Sequence, residues 1–245
     1  MSDHDSCLVS KLSNYIDLDD TDLDLLAGLE EEEEEYSAQS IVQRTDEKTE
    51  YLYVVKSGWL FSDMELPDGR RQIVKLHHAG DLIGMPDIAL DHAALNTQAV
   101  TDTILCPFPK KHLDKLFASS PRLTALLFTI SLRDQVIFTD KLRSVGRMSA
   151  RERVAHFLLD VLHRLRITNR QMTDTFRLPL TQTEIGDATG LTSVTISKTM
   201  MQLQLDKLID RRDGNITIRE EERMESMCDY VDRYSDMDTD WFPAA

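Results

Sequence analysis

Residues 178–209 read LPLTQTEIGDATGLTSVTISKTMMQLQLDKLI, and this stretch decides the reading of the chain. It predicts two helices joined by a tight turn. Thr181 or Gln182 opens the first, and Glu184 stands three residues after Thr181, as a capping box requires. Gly190 ends that helix, because glycine accepts the left-handed backbone a helix end needs. Thr192 or Ser193 caps the second helix, whose apolar residues recur at Ile196, Met200, Leu203 and Leu208. Ile185, Ala188, Leu191 and Ile196 fall where two crossing helices bury side chains against each other, and Gly186 lets the backbones approach. The layout is that of a helix-turn-helix, whose second helix fits the DNA major groove.

Any short helical hairpin with a glycine turn satisfies that spacing, so the flanks carry weight. Leu208 to Ile218 reads LIDRRDGNITI, two short alternating runs around Asp213-Gly214, which is a hairpin signal. Helix-turn-helix plus hairpin makes a winged helix, and the region is expected to bind DNA. Upstream, SARERVAHFLLDVLHRLR reads as an amphipathic helix that starts the same domain.

The net charge of −15 opposes a DNA partner until it is divided along the chain. Residues 1–50 carry 3 basic and 16 acidic side chains, and residues 220–245 carry 2 and 9. Between Lys141 and Arg219 there are 14 basic and 8 acidic residues. Affinity for DNA depends on local cations that displace counterions from phosphate, so the basic middle is what counts.

The first 50 residues read as a short helical start followed by six glutamates, Glu30 to Glu35, expected as a solvated or mobile surface. From Tyr51 the pattern turns to strands. YLYVVKSG, WLFSDMEL and RQIVKLHH are separated by turns at Ser57-Gly58 and Pro67-Asp68-Gly69, with a third turn at Ala79-Gly80-Asp81. LIGMPDIAL, a loop around Asp91-His92 and the alternating TQAVTDTILCPF follow. Short strands at this spacing imply an antiparallel roll or barrel. Lys110 to Phe117 suits a short helix, and Pro121 suits the first turn of a long one.

That long helix has two apolar faces. Leu123, Leu127, Ile130 and Ile137 form one stripe, while Phe128, Leu132 and Leu142 lie on another. Such a helix can pack on its own domain and on a twin helix from a second chain. The first stripe is assigned to dimerisation, with a hinge at Ser144-Val145-Gly146. The expected fold class is α+β: an antiparallel β-roll over residues 1–120, a dimerisation helix and hinge over 121–146, a winged helix-turn-helix over 147–228, and an acidic tail over 229–245. The tail, with Trp241-Phe242-Pro243, is expected to pack on a neighbour.

No apolar run approaches the roughly 20 residues of a membrane span, and the acidic amino terminus lacks a signal-peptide pattern. Cys7, Cys106 and Cys228 form no CxxC pair, so reduced thiols and a cytoplasmic protein are the simplest account. An iron–sulfur cluster held by four thiolates is excluded within one chain. No GxSxG, HExxH, P-loop or GxGxxG occurs in its structural context, so no catalytic residue and no metal site are assigned.

Roll, long helix and winged helix in this order resemble the Crp/Fnr family of bacterial transcription regulators. YLYVVKSGWL, LPDGRRQIVKL and HAGDLIG look like the family's glycine-punctuated roll; MSARERVAHFLL and the opening stretch look like its DNA-binding half. The resemblance implies a homodimeric, sequence-specific regulator, more often an activator than a repressor, with RNA polymerase as the further partner of an activator. The roll would sense a small effector in a pocket near Gly84, Met85, Leu95, Asn96 and Thr97. Family members that bind cyclic AMP follow the glycine with glutamate and later show an Arg-Ser/Thr pair. Here Met85 and Pro86 follow Gly84, and His92 to Asn96 contains no arginine, so cyclic AMP is not expected. The family's oxygen sensors use clustered amino-terminal cysteines, which this chain lacks. Haem stays open on His77, His78 and His92, though histidines at strand ends are usually surface residues. No cofactor is expected.

On the second helix, Ser193, Val194, Ser197 and Lys198 are expected to reach base edges. Lys198 matches the family's arginine that reads guanine, and lysine lacks the rigid fork. Val194 replaces a common acidic residue and can contact a thymine methyl. Thr181, Gln182, Thr192, Thr195, Lys207, Arg211, Arg212 and Arg219 are candidates for the phosphate backbone. Two rival readings stay open: a small-molecule-binding module whose helix-turn-helix serves assembly, and a regulator that needs no effector.

Overall fold

The alternating runs between Tyr51 and Pro109 form strands, as a two-residue period requires. The computed structural model describes residues 6–243, and the chain divides into two units. One comprises the residues up to Leu132 together with those from Met237 onward, and the other is Arg133–Asp236.

The first unit opens with α1 (Cys7–Leu12) and α2 (Asp20–Ala27). Its strands are β1 (Glu34–Tyr36), β2 (Ile41–Gln43), β3 (Tyr51–Ser57), β4 (Trp59–Glu65), β5 (Arg71–His78), β6 (Leu82–Ile83), β7 (Asn96–Ala99) and β8 (Thr103–Pro109). They make two antiparallel sheets, ordered β1-β8-β3-β6 and β2-β7-β4-β5. Val55, Ile83 and Leu105 of one sheet pack with Leu60 and Ala99 of the other. A second cluster joins Leu52, Val54, Cys106 and Phe108 to Leu8, Leu12 and Leu26. Leu113 and Leu116 of α3 (His112–Ser119) and Leu123, Leu126 and Leu127 of α4 (Pro121–Arg147) complete it. Each such leucine contributes about 1.5–3 kcal/mol by leaving water.

Several expectations are corrected here. The glutamate run is only partly loose surface, since Glu34 and Glu35 sit in β1, paired with Leu105 and Ile104. Leu123 and Leu127, assigned to a dimer, are 0 % and 3 % exposed within their own unit, and Ile130 packs against the same cluster. Ile137 is half-buried. The free apolar face of α4 is instead Phe128, Leu132, Val136, Phe138, Leu142 and Val145. Helical period reports two stripes but not which one the chain's own core consumes. The hinge also moves: α4 continues through Ser144, Val145 and Gly146 to Arg147. A single glycine costs a helix only about 1 kcal/mol, whereas the Ser149–Glu152 capping box firmly starts the next one.

The second unit contains α5 (Ala150–Thr168), β9 (Thr175–Arg177), α6 (Gln182–Thr189), α7 (Ser193–Leu205), β10 (Ile209–Arg212), β11 (Asn215–Ile218) and α8 (Glu221–Cys228). Val154, Leu158, Leu159 and Leu162 of α5 are buried, as are Ile185, Ile196, Met200 and Leu203 of the two crossing helices. The acidic tail is split. Residues 229–236 belong to the second unit, where the Tyr234 hydroxyl donates to Asp160 at 2.7 Å. Met237 and Phe242 pack on the helix-side cluster of the first unit, so the neighbour is the same chain.

Candidate nucleic-acid interface

The turn between α6 and α7 is built as its residues dictate. Thr181 caps α6, accepting from the Glu184 amide at 3.2 Å while the Glu184 carboxylate accepts from the Thr181 amide at 2.7 Å. Gly190 closes it in the left-handed conformation, with φ 69°. A side chain on Gly186 would meet the Leu191 carbonyl oxygen at 2.4 Å, so only glycine permits this crossing. Thr192 caps α7 by accepting from the Thr195 amide at 3.2 Å. Ile196, Thr199, Met200 and Leu203 are buried beneath the helix.

That burial leaves Ser193, Val194, Ser197 and Lys198 together on the opposite, exposed face, with Val194 61 % exposed. Ser193 with Ser197, and Val194 with Lys198, each stand one turn apart along the helix. Met201 and Leu205 extend it toward the carboxyl end and are also exposed. Thr181 and Gln182 at the start of α6 and Thr192 before α7 are exposed, while Thr195 is half-buried with its hydroxyl 2.9 Å from that of Thr192. The amino end of α7 presents free amides and a positive helix-dipole end, both favourable to phosphate.

The hairpin turns at Asp213-Gly214, with φ 52° and 78°, as a two-residue turn of this kind demands. In register, Arg212 pairs with Asn215, and Asn215 pairs with Arg177 of β9. Cross-strand partners share a face, and all three are exposed, so the sheet carries two guanidinium groups in one row. Arg177 was missed from the sequence because its three-residue strand has no period of its own. Arg211 and Lys207 are exposed, and Lys207 adopts a left-handed φ of 60° after the end of α7. The Arg219 guanidinium lies on Asp210 at 2.7 Å. It is therefore less free to reach phosphate than the sequence suggested.

In the first unit, the five residues expected to line an effector pocket have different surroundings. Met85 packs on the helix-side core, and Leu95 is half-buried. Thr97 lies 3.1 Å from Ser62, whose hydroxyl also meets His77 Nε2 at 2.8 Å. Asn96 donates to the buried Asp63 at 3.2 Å and accepts from the Thr45 amide at 2.9 Å. Gly84 precedes a short helical turn, Met85–Ala89. His77 and His78, expected at the surface, are buried, and the His78 ring stands 5.9 Å from that of Trp59; His92 is exposed. Burial pushes the Cys106 thiol up to about 11 and the Cys228 thiol up to about 12.

Residues 33–120 match the family described as the cyclic nucleotide-binding domain, and residues 152–227 match the Crp-like helix-turn-helix domain. The nitrogen fixation regulation protein FixK of Bradyrhizobium diazoefficiens is 30 % identical over 78 % of this chain and 80 % of its own. A probable transcriptional activator of Rhizobium leguminosarum bv. viciae is 34 % identical, and that match spans 57 % of each chain. Among solved structures, FixK2 from Bradyrhizobium japonicum superposes with a TM-score of 0.71 at 28 % identity, covering 80 % of this chain and 96 % of that one. A roll, a long helix and a winged helix-turn-helix in this order define a class of transcription regulators. This chain belongs to the Crp/Fnr family of transcription regulators. No described helix is long and apolar enough to cross a membrane.

Proposed function

We propose that this regulator binds a twofold-related DNA operator as a homodimer, with α7 in the major groove. The carrying observation is the exposed quartet Ser193, Val194, Ser197 and Lys198 at the amino end of a helix whose opposite side is buried. Lys198 donates to guanine O6 and N7, Val194 meets a thymine methyl, and both serines contribute further hydrogen bonds. Thr181, Gln182, Thr192, Thr195, Lys207, Arg211, Arg212 and Arg177 contact the phosphate backbone, where Arg177 and Arg212 share a row. Twofold symmetry sets the half-sites about 34 Å apart.

The second copy is held by the free apolar face of α4. Phe138, Leu142 and Val145 follow at four- and three-residue steps, the spacing of a helix–helix seam, and Leu142 is 74 % exposed. The relative from Rhizobium named as an activator supports an activating role, with RNA polymerase as the further partner.

The effector is not cyclic AMP. Leu95 offers no cation, Asn96 is engaged by Asp63 and Thr45, and the Asp63 carboxylate would oppose a buried phosphate. His77 is committed to Ser62, which disfavours a haem ligand there. Selection from random duplex DNA with the purified chain, with and without metabolites from a cell extract, tests the reading. An enriched palindrome is the expected result, and enrichment without metabolites identifies a regulator that needs no effector. No enrichment under either condition would show that the helix-turn-helix serves assembly.

A further inference from the structure

His163 of α5 is 9 % exposed, and its Nδ1 lies 3.1 Å from Asp232 Oδ2. Its other nitrogen, Nε2, is buried and has no hydrogen-bond partner among the described residues. In front of Nε2 stand two carboxylate oxygens of α8, Glu221 Oε1 at 3.1 Å and Glu225 Oε1 at 3.5 Å. Glu221 and Glu225 are four residues apart and so project from one side of that helix.

We propose that His163, Glu221 and Glu225 form a binding site for one divalent transition-metal ion, with Asp232 orienting the imidazole. Two donors each about 2.1 Å from one ion stand about 3.0 Å apart at a right angle and about 3.4 Å apart at the tetrahedral angle. The two distances from Nε2 match those edges. Hydrogen bonding of Nδ1 to a carboxylate fixes the tautomer that leaves Nε2 as the metal donor, the usual outer arrangement around a ligating histidine. Arg166 grips Glu221 at 2.5 and 2.7 Å, so three carboxylates and one guanidinium leave a local excess of two negative charges for a dication. One imidazole with two carboxylates selects Zn²⁺, Co²⁺ or Fe²⁺ over Mg²⁺ and Ca²⁺, which favour oxygen alone. Three protein donors leave at least one coordination position open for water. The ion would tie α8 and the segment after it to α5.

Calorimetry of the chelator-treated full chain with Zn²⁺, with Mg²⁺ as a second arm, tests the site. Because the three cysteines and the acidic ends also attract Zn²⁺, the decisive quantity is the difference from Glu225→Gln, a partly exposed position that leaves the fold intact. The wild type should bind one Zn²⁺ more than Glu225→Gln, with a dissociation constant in the micromolar range or tighter. Asp232→Asn should weaken that binding tenfold to a hundredfold. Zn²⁺ should raise the melting temperature of the wild type and not of Glu225→Gln, and Mg²⁺ should do neither. Equal Zn²⁺ uptake by wild type and Glu225→Gln, or a histidine spectrum with both His163 nitrogens protonated in the presence of Zn²⁺, would overturn the site. Neither result bears on DNA selection, so the two readings fail separately.

Discussion

The carbonyl oxygen of Leu191 occupies the space where a Gly186 side chain would begin, 2.4 Å from the position of its first carbon. Helix α6 therefore meets the turn that leads into α7 backbone to backbone. Gly186→Ala should destabilise that unit by about 1–3 kcal/mol, the usual cost of overpacking a fixed contact. Thermal unfolding checks this, and an unchanged melting temperature would mean the helices separate freely.

Lys198→Ala should lower affinity for the preferred operator by about 1–3 kcal/mol and relax base preference at one position. Binding to a panel of single-base variants measures both effects. A uniform loss across the panel would reassign Lys198 to the phosphate backbone. For the wild type, affinity should fall steeply with salt, as counterion release requires.

Leu142→Glu and Leu123→Ala separate the two faces of α4. Leu142 is exposed, so the charge should yield a folded monomer by light scattering and weaken operator binding. Leu123 is buried, so its truncation should cost about 2–5 kcal/mol of stability. A dimer that persists in Leu142→Glu would move the seam elsewhere.

Burial depresses the His156 imidazole, with Asp160 and Asp140 opposing and Arg143 and Lys141 adding to the effect. The Tyr230 ring covers it edge-on at 5.3 Å. The folded value lies below the unfolded one, so as pH falls below about 6.5 the unfolded chain takes up the proton first. Stability present above that pH is then lost on acidification. Melting temperature should fall between pH 7 and pH 5, and His156→Gln should flatten the slope; an unaltered slope assigns the loss to other groups.

Titration of cyclic AMP into the protein should give no saturable heat at micromolar concentrations. A dissociation constant in the low micromolar range would falsify the argument from Leu95, Asn96 and Asp63.

Local chemistry made much of this architecture legible. The pairs Thr181–Glu184 and Ser149–Glu152 fix where helices begin, and Asp213-Gly214 fixes the hairpin. Such signals act within four residues and need no tertiary partner. What escaped depends on distant segments. Helical period shows two stripes on α4, but the roll alone decides that Leu123 and Leu127 are consumed. Glu221 and Glu225 look like ordinary surface charge until α8 is laid beside His163, 58 positions earlier in the chain. Arg177 reaches the wing row only because β9 pairs with β11. His77 and His78 look like strand-end surface residues until the sheets close over them.

Met237 and Phe242 complete the hydrophobic packing of the first unit after the chain has already traversed the second. The gene therefore cannot be cut once to yield both halves intact. A product stopping at Leu132 leaves that cluster without part of its cover, whereas one that also carries 237–243, supplied as a peptide or by fusion, restores the lining.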